Sequence, residues 1–383
     1  MTKTYDEINE RIRSGEAVVL TAEEVVDLVR RKGVEKAAEE VDVVTTGTFG
    51  AMCSSGAFLN LGHSDPPIRM TSIRLNGVEA YGGLAAVDTY IGATSLIDPP
   101  GKGYGGAHVI EDLIAGKRIH LRATSPGTDC YIRKSIDTYV TLDDLNEAYL
   151  YNPRNVYQNY SIATNTSKRT LYTYMGKLMP NMKNATYSSA GALSPLLNDP
   201  HLDTIGIGTR IFLAGGEGYV AWQGTQFNTT AEEVNGVPVK GSRTLALIGD
   251  MKQMSPDYIR GLDITGYGIS LAIGVGIPIP VLNEDVMRRC AVSDEDLFAE
   301  MVDYSLPSGR TCMQRYSYAE LRSGQIEYQG KKIRTSSLSS LYGARKVANQ
   351  LKDWIEHGEF LLNRPSLMLP REGKVKPLIE RSE

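Results

Sequence analysis

The sequence predicts an α/β protein with mixed sheets, several β-hairpins and flanking helices, arranged as one large body. Three patterns support this fold class. Apolar residues recur at helical spacing through residues 4–40, β-rich segments joined by glycine turns occupy 203–227, and Asn76-Gly77 lies between two extended segments. These patterns predict helices, linked strands and a hairpin, respectively.

The first elements follow from local signals. Thr21 and Glu24 form a predicted capping box that opens the second helix of 4–40. The β-branched run 41–46 predicts a strand, and it leads into a loop of small residues that contains Cys53. The later segments are predicted as follows: a hairpin at 68–80, a glycine-rich loop at 97–107, a helix or short turn at 108–115, mostly extended chain at 117–141, a helix begun by Thr141, strand-like chain at 156–180, a strand at 242–250, helices at 283–304 and 337–357, and a hairpin at 318–335.

The 383 residues are enough for one large domain or two smaller ones. We expect a catalytic body over residues 1–363, with a possible internal boundary near 228–240. Residues 364–383 contain proline and many charges, and we expect an extended tail on the surface.

Charge and hydropathy exclude several classes of protein. The net charge is −4 and no basic stripe is present, so a nucleic-acid partner is not expected. The N-terminus lacks the apolar region of a secretion signal. The most apolar stretch, 267–282, is too short to span a membrane and contains Pro278 and Pro280, so it predicts a buried strand and loop. We therefore expect a cytoplasmic protein without a membrane partner.

Cys53 is the cysteine whose local context most favours chemistry. It lies in a Gly/Ser/Thr-rich loop directly after a predicted strand, a common location for ligand sites in α/β proteins. Backbone N–H groups of such a loop can stabilise a thiolate, the reactive form of cysteine. The alternative is a buried, inert cysteine.

Cys130 follows a predicted Pro-Gly turn and precedes two basic residues, Arg133 and Lys134. A nearby cation favours the thiolate, so these side chains could activate the thiol or bind an anionic substrate. The alternative is a solvated basic pair unrelated to the sulfur. Cys290, in a predicted helix, and Cys312, in a predicted loop, have no comparable surroundings and are interpreted as structural or incidental.

Residues 149–160 are rich in tyrosine and amide side chains and contain one arginine. Arg154 is suited to a bidentate contact with a carboxylate, and Asn155 and Asn159 to hydrogen bonds with a small polar substrate. The alternative is a tyrosine-rich hairpin that packs its rings. Gly101–Gly106 matches a dinucleotide motif only formally, because Asp98-Pro99-Pro100 is a poor strand end. No paired zinc-ligand spacing is present.

Five segments together resemble the homocysteine biosynthesis family, in a form without C-terminal CBS domains. They are TTGTFGAMCSSGAFLN (45–60), GTDCYIRK (127–134), LNEAYLYNPRNVYQNY (145–160), NATYSSAGALSPLLNDP (184–200) and TIGIGTRIFLAGGEGYVAWQGTQ (204–226). The resemblance covers most of residues 5–360. It places family cysteines at Cys53 and Cys130, whereas Val156 and Ser188 occupy positions that are cysteine in some members.

The resemblance implies an L-aspartate semialdehyde sulfurtransferase that forms L-homocysteine. It further implies sulfide or another sulfur donor, a ferredoxin-like electron donor and a homo-oligomer. Under this interpretation Cys130 carries a persulfide, Cys53 resolves it as a disulfide, Arg154 holds the substrate carboxylate, and Asn155 or Asn159 contacts its amino group or oxyanion.

Three alternatives stay open at this point. Cys53 and Cys130 could hold an iron–sulfur cluster with a further ligand, although two cysteines fall short of the usual four thiolates. The chain could be a non-catalytic sulfur carrier. It could also be a thiol-dependent aldehyde dehydrogenase, which the poor dinucleotide motif disfavours.

Overall fold

Residues 2–98, 103–156 and 158–381 are described by the computed structural model. Within them, eight α-helices occur: α1 (Tyr5–Ser14), α2 (Ala22–Lys32), α3 (Val34–Glu40), α4 (Gly106–Ile114), α5 (Pro195–Asn198), α6 (Glu284–Cys290), α7 (Tyr318–Arg322) and α8 (Leu341–Glu356). Four short 3-10 helices lie at Leu142–Asp144, Gly191–Leu193, Met251–Gln253 and Pro256–Tyr258. The helices predicted for residues 4–40 are confirmed, as is the capping box of Thr21 and Glu24.

The strands of the described residues are short and mostly antiparallel. In chain order they are β1 (Val19–Thr21), β2 (Val43–Thr45), β3 (Thr48–Ala51), β4 (Gly56–Asn60), β5 (Ser72–Leu75), β6 (Val78–Ala80), β7 (Asp88–Gly92), β8 (Ile119–Thr124), β9 (Ser135–Val140), β10 (Ala148–Asn155), β11 (Ile162–Thr164), β12 (Leu171–Thr173), β13 (Gly176–Leu178), β14 (Asn184–Tyr187), β15 (Gly206–Ile207), β16 (Arg210–Leu213), β17 (Gly216–Gln223), β18 (Glu233–Val234), β19 (Val237–Pro238), β20 (Leu245–Asp250), β21 (Ile259–Ile264), β22 (Gly268–Gly276), β23 (Pro278–Pro280), β24 (Phe298–Asp303), β25 (Gln314–Ser317), β26 (Gln325–Tyr328), β27 (Lys331–Ser337) and β28 (Leu367–Met368).

The largest sheet has nine strands, in the order β21-β22-β16-β17-β20-β10-β4-β7, with β3 paired to β22 outside this path. Strands β3 and β4 therefore belong to distant parts of the sheet. Only residues 52–55 connect them along the chain. Because so short a connection cannot cross a flat sheet of this width, the sheet must curl strongly and bring its two ends together.

Smaller sheets flank the large one. The four-stranded sheet β6-β5-β8-β9 shares one hydrophobic core with the large sheet and α4. A mixed six-stranded sheet, β25-β24-β11-β14-β27-β26, has its own core, which includes Tyr316 and Tyr318. Helix α8 contacts both β3, which leads into the Cys53 turn, and β22, which pairs with β3. The predicted fold class, α/β with mixed sheets, hairpins and flanking helices, is confirmed.

Three predicted elements were wrong. The helix predicted for 283–304 ends at Cys290, and β24 follows, because tertiary pairing with β11 overrides the local helical pattern. Residues 318–322 form helix α7 rather than a strand, since Ser317 and Glu320 form a capping box. The helix begun by Thr141 is only the 3-10 turn Leu142–Asp144.

Other predicted elements are confirmed: the hairpin turn at Asn76-Gly77, the buried strand within 267–282 and the helix within 337–357. Residues 99–102 of the predicted glycine-rich loop lie outside the described residues. The domain boundaries stay predictions, although part of the segment beyond 363 is paired, since β28 contacts β15. Within the described ranges, none of the helices has the length and apolar character needed to cross a membrane.

Candidate active site

The turn that carries Cys53 is fixed at both ends by backbone hydrogen bonds. Met52 N–H donates to the carbonyl of Leu271 at 2.7 Å, which extends the ladder between β3 and β22. Ser55 N–H donates to the Met52 carbonyl at 3.1 Å and closes the turn. The sequence therefore places the Cys53 side chain at the junction between the two distant parts of the large sheet.

The Cys53 thiol is half-buried and has a defined partner. Its Sγ lies 3.1 Å from the Oγ of Ser270, a fully buried side chain on β22. A cysteine whose sulfur combines partial exposure with a hydroxyl partner differs from the buried, inert cysteine considered as the alternative.

Strand β10 supplies the opposite wall of the site. Its register with β20 shifts between Asn152 and Asn155, so Arg154 lies in an irregular stretch of the strand. The Oδ1 of Asn152 accepts from Arg154 N–H at 3.0 Å, and its Nδ2 donates to the Oγ of Ser55 at 2.7 Å. Asn152 thereby joins the bulge to the Cys53 turn.

Cys53 and Arg154 line one cavity of about 410 Å³. Arg154 is the one charged residue among the described lining residues, which otherwise present hydroxyl, thiol and apolar groups. Within residues 2–98, 103–156 and 158–381, the Arg154 guanidinium forms no hydrogen bond or ion pair with a protein group. A half-buried guanidinium without a partner is suited to binding an anionic group of a ligand.

Three of the described tyrosines border the cavity, Tyr160 among them, and a fourth lies behind Tyr174. Tyr174 and Tyr267 are lining residues, and the Tyr174 hydroxyl is hydrogen-bonded to that of Tyr304 at 2.8 Å. Burial raises the pKa of the Tyr304 phenol above its ordinary value. Burial, with the nearby Cys53 sulfur as a second cause, raises the pKa of Tyr267. Both phenols therefore stay protonated near neutral pH and can donate hydrogen bonds.

Asn155 and Val156 form a strained corner next to Arg154. Val156 lines the cavity and has a φ of 50°, a conformation that β-branched residues rarely adopt. The Oδ1 of Asn155 stabilises it by accepting from Val156 N–H at 2.6 Å. The Nδ2 of Asn155 is buried and has no acceptor among the described residues, so it is a free donor close to the cavity wall.

Asn159 is placed differently. Its Nδ2 donates to the carbonyls of Pro238 and Phe298, both at 2.9 Å. Its Oδ1 accepts from the Tyr318 hydroxyl at 2.7 Å and from Tyr160 N–H at 2.8 Å. All of its hydrogen-bonding capacity is thus engaged by the protein, and the structure does not bring it to the cavity.

Cys130 lies on an exposed loop between β8 and β9 and does not line the cavity. The neighbouring Tyr131 stacks on His63, with ring centroids 6.2 Å apart. Cys53 precedes the first residue of β4 by three positions, and His63 follows its last residue by three. A strand about 13 Å long, at roughly 3.3 Å per residue, therefore separates the two cysteine loops. This strand length exceeds the Cα distance that a disulfide allows, about 7 Å, so we expect the two cysteines to lie too far apart to form one.

Arg133 and Lys134 lie on the same loop as Cys130, between β8 and β9. The Nε of Arg133 donates to the Ser135 carbonyl at 3.0 Å, and Lys134 is exposed. Neither residue lines the cavity. Cys290 is fully buried in α6, and burial raises the pKa of its thiol well above the ordinary value. Cys312 lies in an exposed loop.

Comparison with known proteins identifies the family. The family model described as homocysteine biosynthesis enzyme, sulfur-incorporation, matches residues 17–362. The chain belongs to this family.

Two relatives bear the name L-aspartate semialdehyde sulfurtransferase. The protein from Methanosarcina acetivorans is 55% identical over 377 residues, which cover 98% of this chain and 74% of the relative. The protein from Methanocaldococcus jannaschii is 52% identical over 376 residues, covering 94% and 72%, respectively. No solved structure matches the chain.

The cavity also contains residues that were not predicted as site residues from the sequence patterns. Val156 and Ser188, which stand where some family members are expected to have cysteine, both line the cavity that contains Cys53. Ser270, Tyr174 and Tyr267 were not predicted as site residues. They lie more than 100 positions from Cys53, and no local motif marks them. Tertiary packing brings them together: closure of the large sheet places Ser270 and Tyr267 near Cys53, and the separate β12-β13 hairpin supplies Tyr174.

The residues present do not fit an iron–sulfur cluster within one chain. Across the part of the chain that the structure describes, no group of three or more Cys, His, Asp or Glu side chains is placed to hold a metal ion. The two candidate ligands, Cys53 and Cys130, are moreover separated by the length of β4. Clusters normally require four thiolate ligands in one place, so no step of the reaction is assigned to such a group.

Proposed function

We propose that this chain is an L-aspartate semialdehyde sulfurtransferase and that the cavity beside Cys53 binds the substrate. The observation that carries the proposal is that Cys53 lines one cavity of about 410 Å³ together with Arg154, whose guanidinium has no partner among the described residues. L-Aspartate semialdehyde has a carboxylate at one end and an aldehyde at the other. Arg154 would hold the carboxylate, and the aldehyde would then face the thiol across the cavity.

The overall reaction sets the demands on the site. An aldehyde, hydrogen sulfide, two electrons and two protons give a thiol and water. Sulfur adds to the aldehyde carbon, the oxygen becomes a hydroxyl group and leaves as water, and two electrons complete the C–S–H product. The protonated phenol of Tyr267 and the Nδ2 of Asn155, which has no acceptor among the described residues, are donors suited to the developing oxyanion.

The separation of the two cysteines suggests a division of tasks. We propose that Cys53 acts on the bound substrate. Cys130, which is exposed on its loop, would take the outer sulfur of a persulfide donor outside the cavity, and the thiol of the donor would leave. A ferredoxin-like protein remains the proposed source of electrons. With the cysteines as far apart as they are, a disulfide between them would require another copy of the chain or movement of the Cys130 loop.

The test is homocysteine formation by the purified chain from L-aspartate semialdehyde, sulfide and a low-potential chemical reductant, measured by mass spectrometry. Cys53→Ala should abolish the product at every sulfide concentration. Cys130→Ala should keep full activity with sulfide, which reacts without first forming a persulfide, and should lose activity when a persulfide donor replaces sulfide. Cys312→Ala is the matched control and should retain full activity. Full activity of Cys53→Ala would refute the proposal.

A sulfur-carrier role is the second candidate, and the exposure of Cys130 is the observation that favours it. A carrier would take up sulfane sulfur on Cys130 but would form no homocysteine. Cyanolysis of the isolated protein, combined with the homocysteine assay, separates the two functions. Labile sulfur without product under all reducing conditions would support the carrier.

A further inference from the structure

The hydroxyl of Ser270 is hydrogen-bonded to the sulfur of Cys53. Its Oγ lies 3.1 Å from Cys53 Sγ, and the side chain is fully buried. Among the residues that the structure describes, Ser270 Oγ makes no second hydrogen bond. A buried hydroxyl normally donates a hydrogen bond to some acceptor. For the Ser270 hydroxyl, the acceptor among the described residues is the Cys53 sulfur.

The backbone fixes this pair without help from the cavity. Ala51 pairs with Ala272 in the ladder between β3 and β22, and Met52 N–H donates to the Leu271 carbonyl at 2.7 Å. Cys53 therefore follows directly after the last ladder contact between β3 and β22. Its sulfur contacts Ser270, which lies on β22. Ser270 does not line the cavity, so it contacts the Cys53 sulfur on the side away from the cavity. The side of the sulfur that faces the cavity stays open to the substrate.

The ionisation state of the sulfur decides which way the hydrogen bond runs. A neutral thiol can donate to the serine oxygen or accept from it, whereas a thiolate can only accept. Hydrogen bonds to a charged group are stronger than those between neutral groups. A hydroxyl with no competing acceptor therefore favours the thiolate and restrains its direction.

We propose that Ser270 is a positioning residue, whose hydroxyl donates a hydrogen bond to the Cys53 thiolate and orients that sulfur toward the cavity. Its relevance to catalysis rests on the proposed function. Its effect on the thiol does not, because alkylation of Cys53 requires neither substrate nor sulfur donor.

The experiment measures the alkylation rate of Cys53 by iodoacetamide between pH 6 and pH 10. It uses a parent variant carrying Cys130→Ser and Cys312→Ser, so that Cys53 is the one remaining cysteine that is not fully buried. Removal of the serine hydroxyl by Ser270→Ala should slow alkylation at pH 7 about tenfold and move the midpoint of the pH profile upward by about one pH unit. Ser270→Thr, which keeps a hydroxyl, should restore most of the rate.

Ser242→Ala is the matched control. Ser242 is also a buried serine, its hydroxyl donates a 2.6 Å hydrogen bond to the Asn228 carbonyl, and it does not line the cavity. It should leave the profile unchanged. The proposal is overturned if the Ser270→Ala profile matches the parent, or if Ser242→Ala shifts it equally. If Ser270→Ala does not fold, the Ser270→Thr profile decides: a profile close to the parent supports the proposal, and a displaced one refutes it.

The same variants separate this proposal from the proposed function. In the homocysteine assay Ser270→Ala, in the otherwise native chain, should lower kcat with little change in KM, because Ser270 does not contact the cavity. If the native chain forms no homocysteine while the alkylation profile still shifts, the proposed function fails and the positioning role stands. If the chain forms homocysteine and the profile does not shift, the positioning role alone fails.

Discussion

The hydroxyl of Ser54 donates a 3.0 Å hydrogen bond to the carbonyl oxygen of Arg154. This contact joins the residue after Cys53 directly to the residue that carries the cavity's positive charge. The segments that carry the thiol and the guanidinium are therefore joined by hydrogen bonds and are not two independent loops. A small substrate with an anionic end can be held relative to the sulfur with little adjustment of the protein.

Replacing Arg154 should weaken the binding of the substrate carboxylate. Arg154→Gln removes a charge-assisted contact worth about 2–3 kcal/mol, so kcat/KM for L-aspartate semialdehyde should fall by about 30–150-fold. Most of the loss should be in KM, because the contact is made in the ground state as well. Steady-state kinetics of homocysteine formation measure it.

Arg133→Gln provides the matched control at the Cys130 loop. Arg133 does not line the cavity, so its replacement should leave KM for the aldehyde unchanged. If Arg133→Gln raised KM as much as Arg154→Gln, the substrate would have to bind near Cys130.

The four cysteines should differ in their alkylation by iodoacetamide at pH 8. Cys130 and Cys312 are exposed and should react readily, and Cys53 should react from the cavity. Cys290 should stay unlabelled in the native protein, because burial raises the pKa of its thiol and excludes the reagent. Peptide mass spectrometry locates the label. Rapid labelling of Cys290 without urea would contradict this placement.

The carboxyl of Asp303 should make stability depend on pH. Although burial raises its pKa, hydrogen bonds from Thr166 and Ser305 outweigh this effect and hold the pKa below the ordinary value. The stabilisation is therefore complete above the ordinary pKa of about 4 and is lost as pH falls through the lowered pKa of the folded state. Asp303→Asn should cost about 1–2 kcal/mol at pH 7, and the difference from the native chain should shrink below pH 4.

Urea unfolding at pH 7 and at pH 3 measures this effect. Asp257→Asn is the control, because Asp257 is exposed and pairs with Lys346 on the surface. Its replacement should change stability little at either pH. A difference between Asp303→Asn and the native chain that stayed constant from pH 7 to pH 3 would show that the carboxylate charge is not the cause.

Gly47 should not tolerate a side chain. A Cβ at this position would lie 2.2 Å from the carbonyl oxygen of Ala344 in helix α8, and a backbone atom cannot move aside as a flexible side chain can. Gly47→Ala should lower the free energy of unfolding by about 1–3 kcal/mol. Urea unfolding followed by circular dichroism measures it. An unchanged midpoint would mean that α8 does not pack this closely on the chain before β3.

Local signals predicted much of the fold. The helices of 4–40, the hairpin at Asn76-Gly77 and the helix within 337–357 are set by spacing, capping and turn chemistry close in sequence. Residues 291–304 show the limit of such signals. Their pattern resembles a helix, but β24 forms there because a parallel partner, β11, is supplied from more than 130 positions earlier.

The site was predictable only in part, for a related reason. Cys53 and Arg154 each have a suggestive local context, and both line the cavity. Cys130 also has a suggestive local context, yet its loop lies beyond the far end of β4. Ser270 sits in an apolar strand that gave no reason to expect a polar contact with a thiol. Which residues meet is determined by the sheet closure, which sequence spacing does not encode.

The closure of the large sheet also determines when the thiol acquires its environment. Cys53 and Ser270 are separated by 217 positions along the chain. During synthesis the Cys53 turn emerges long before β22, so its sulfur lacks both its hydroxyl partner and the wall of its cavity. Contacts of such high sequence separation form slowly. The chemical reactivity of Cys53 thus reports whether the chain has folded completely. In a truncated or partly folded chain, Cys53 would be a thiol without the Ser270 hydrogen bond.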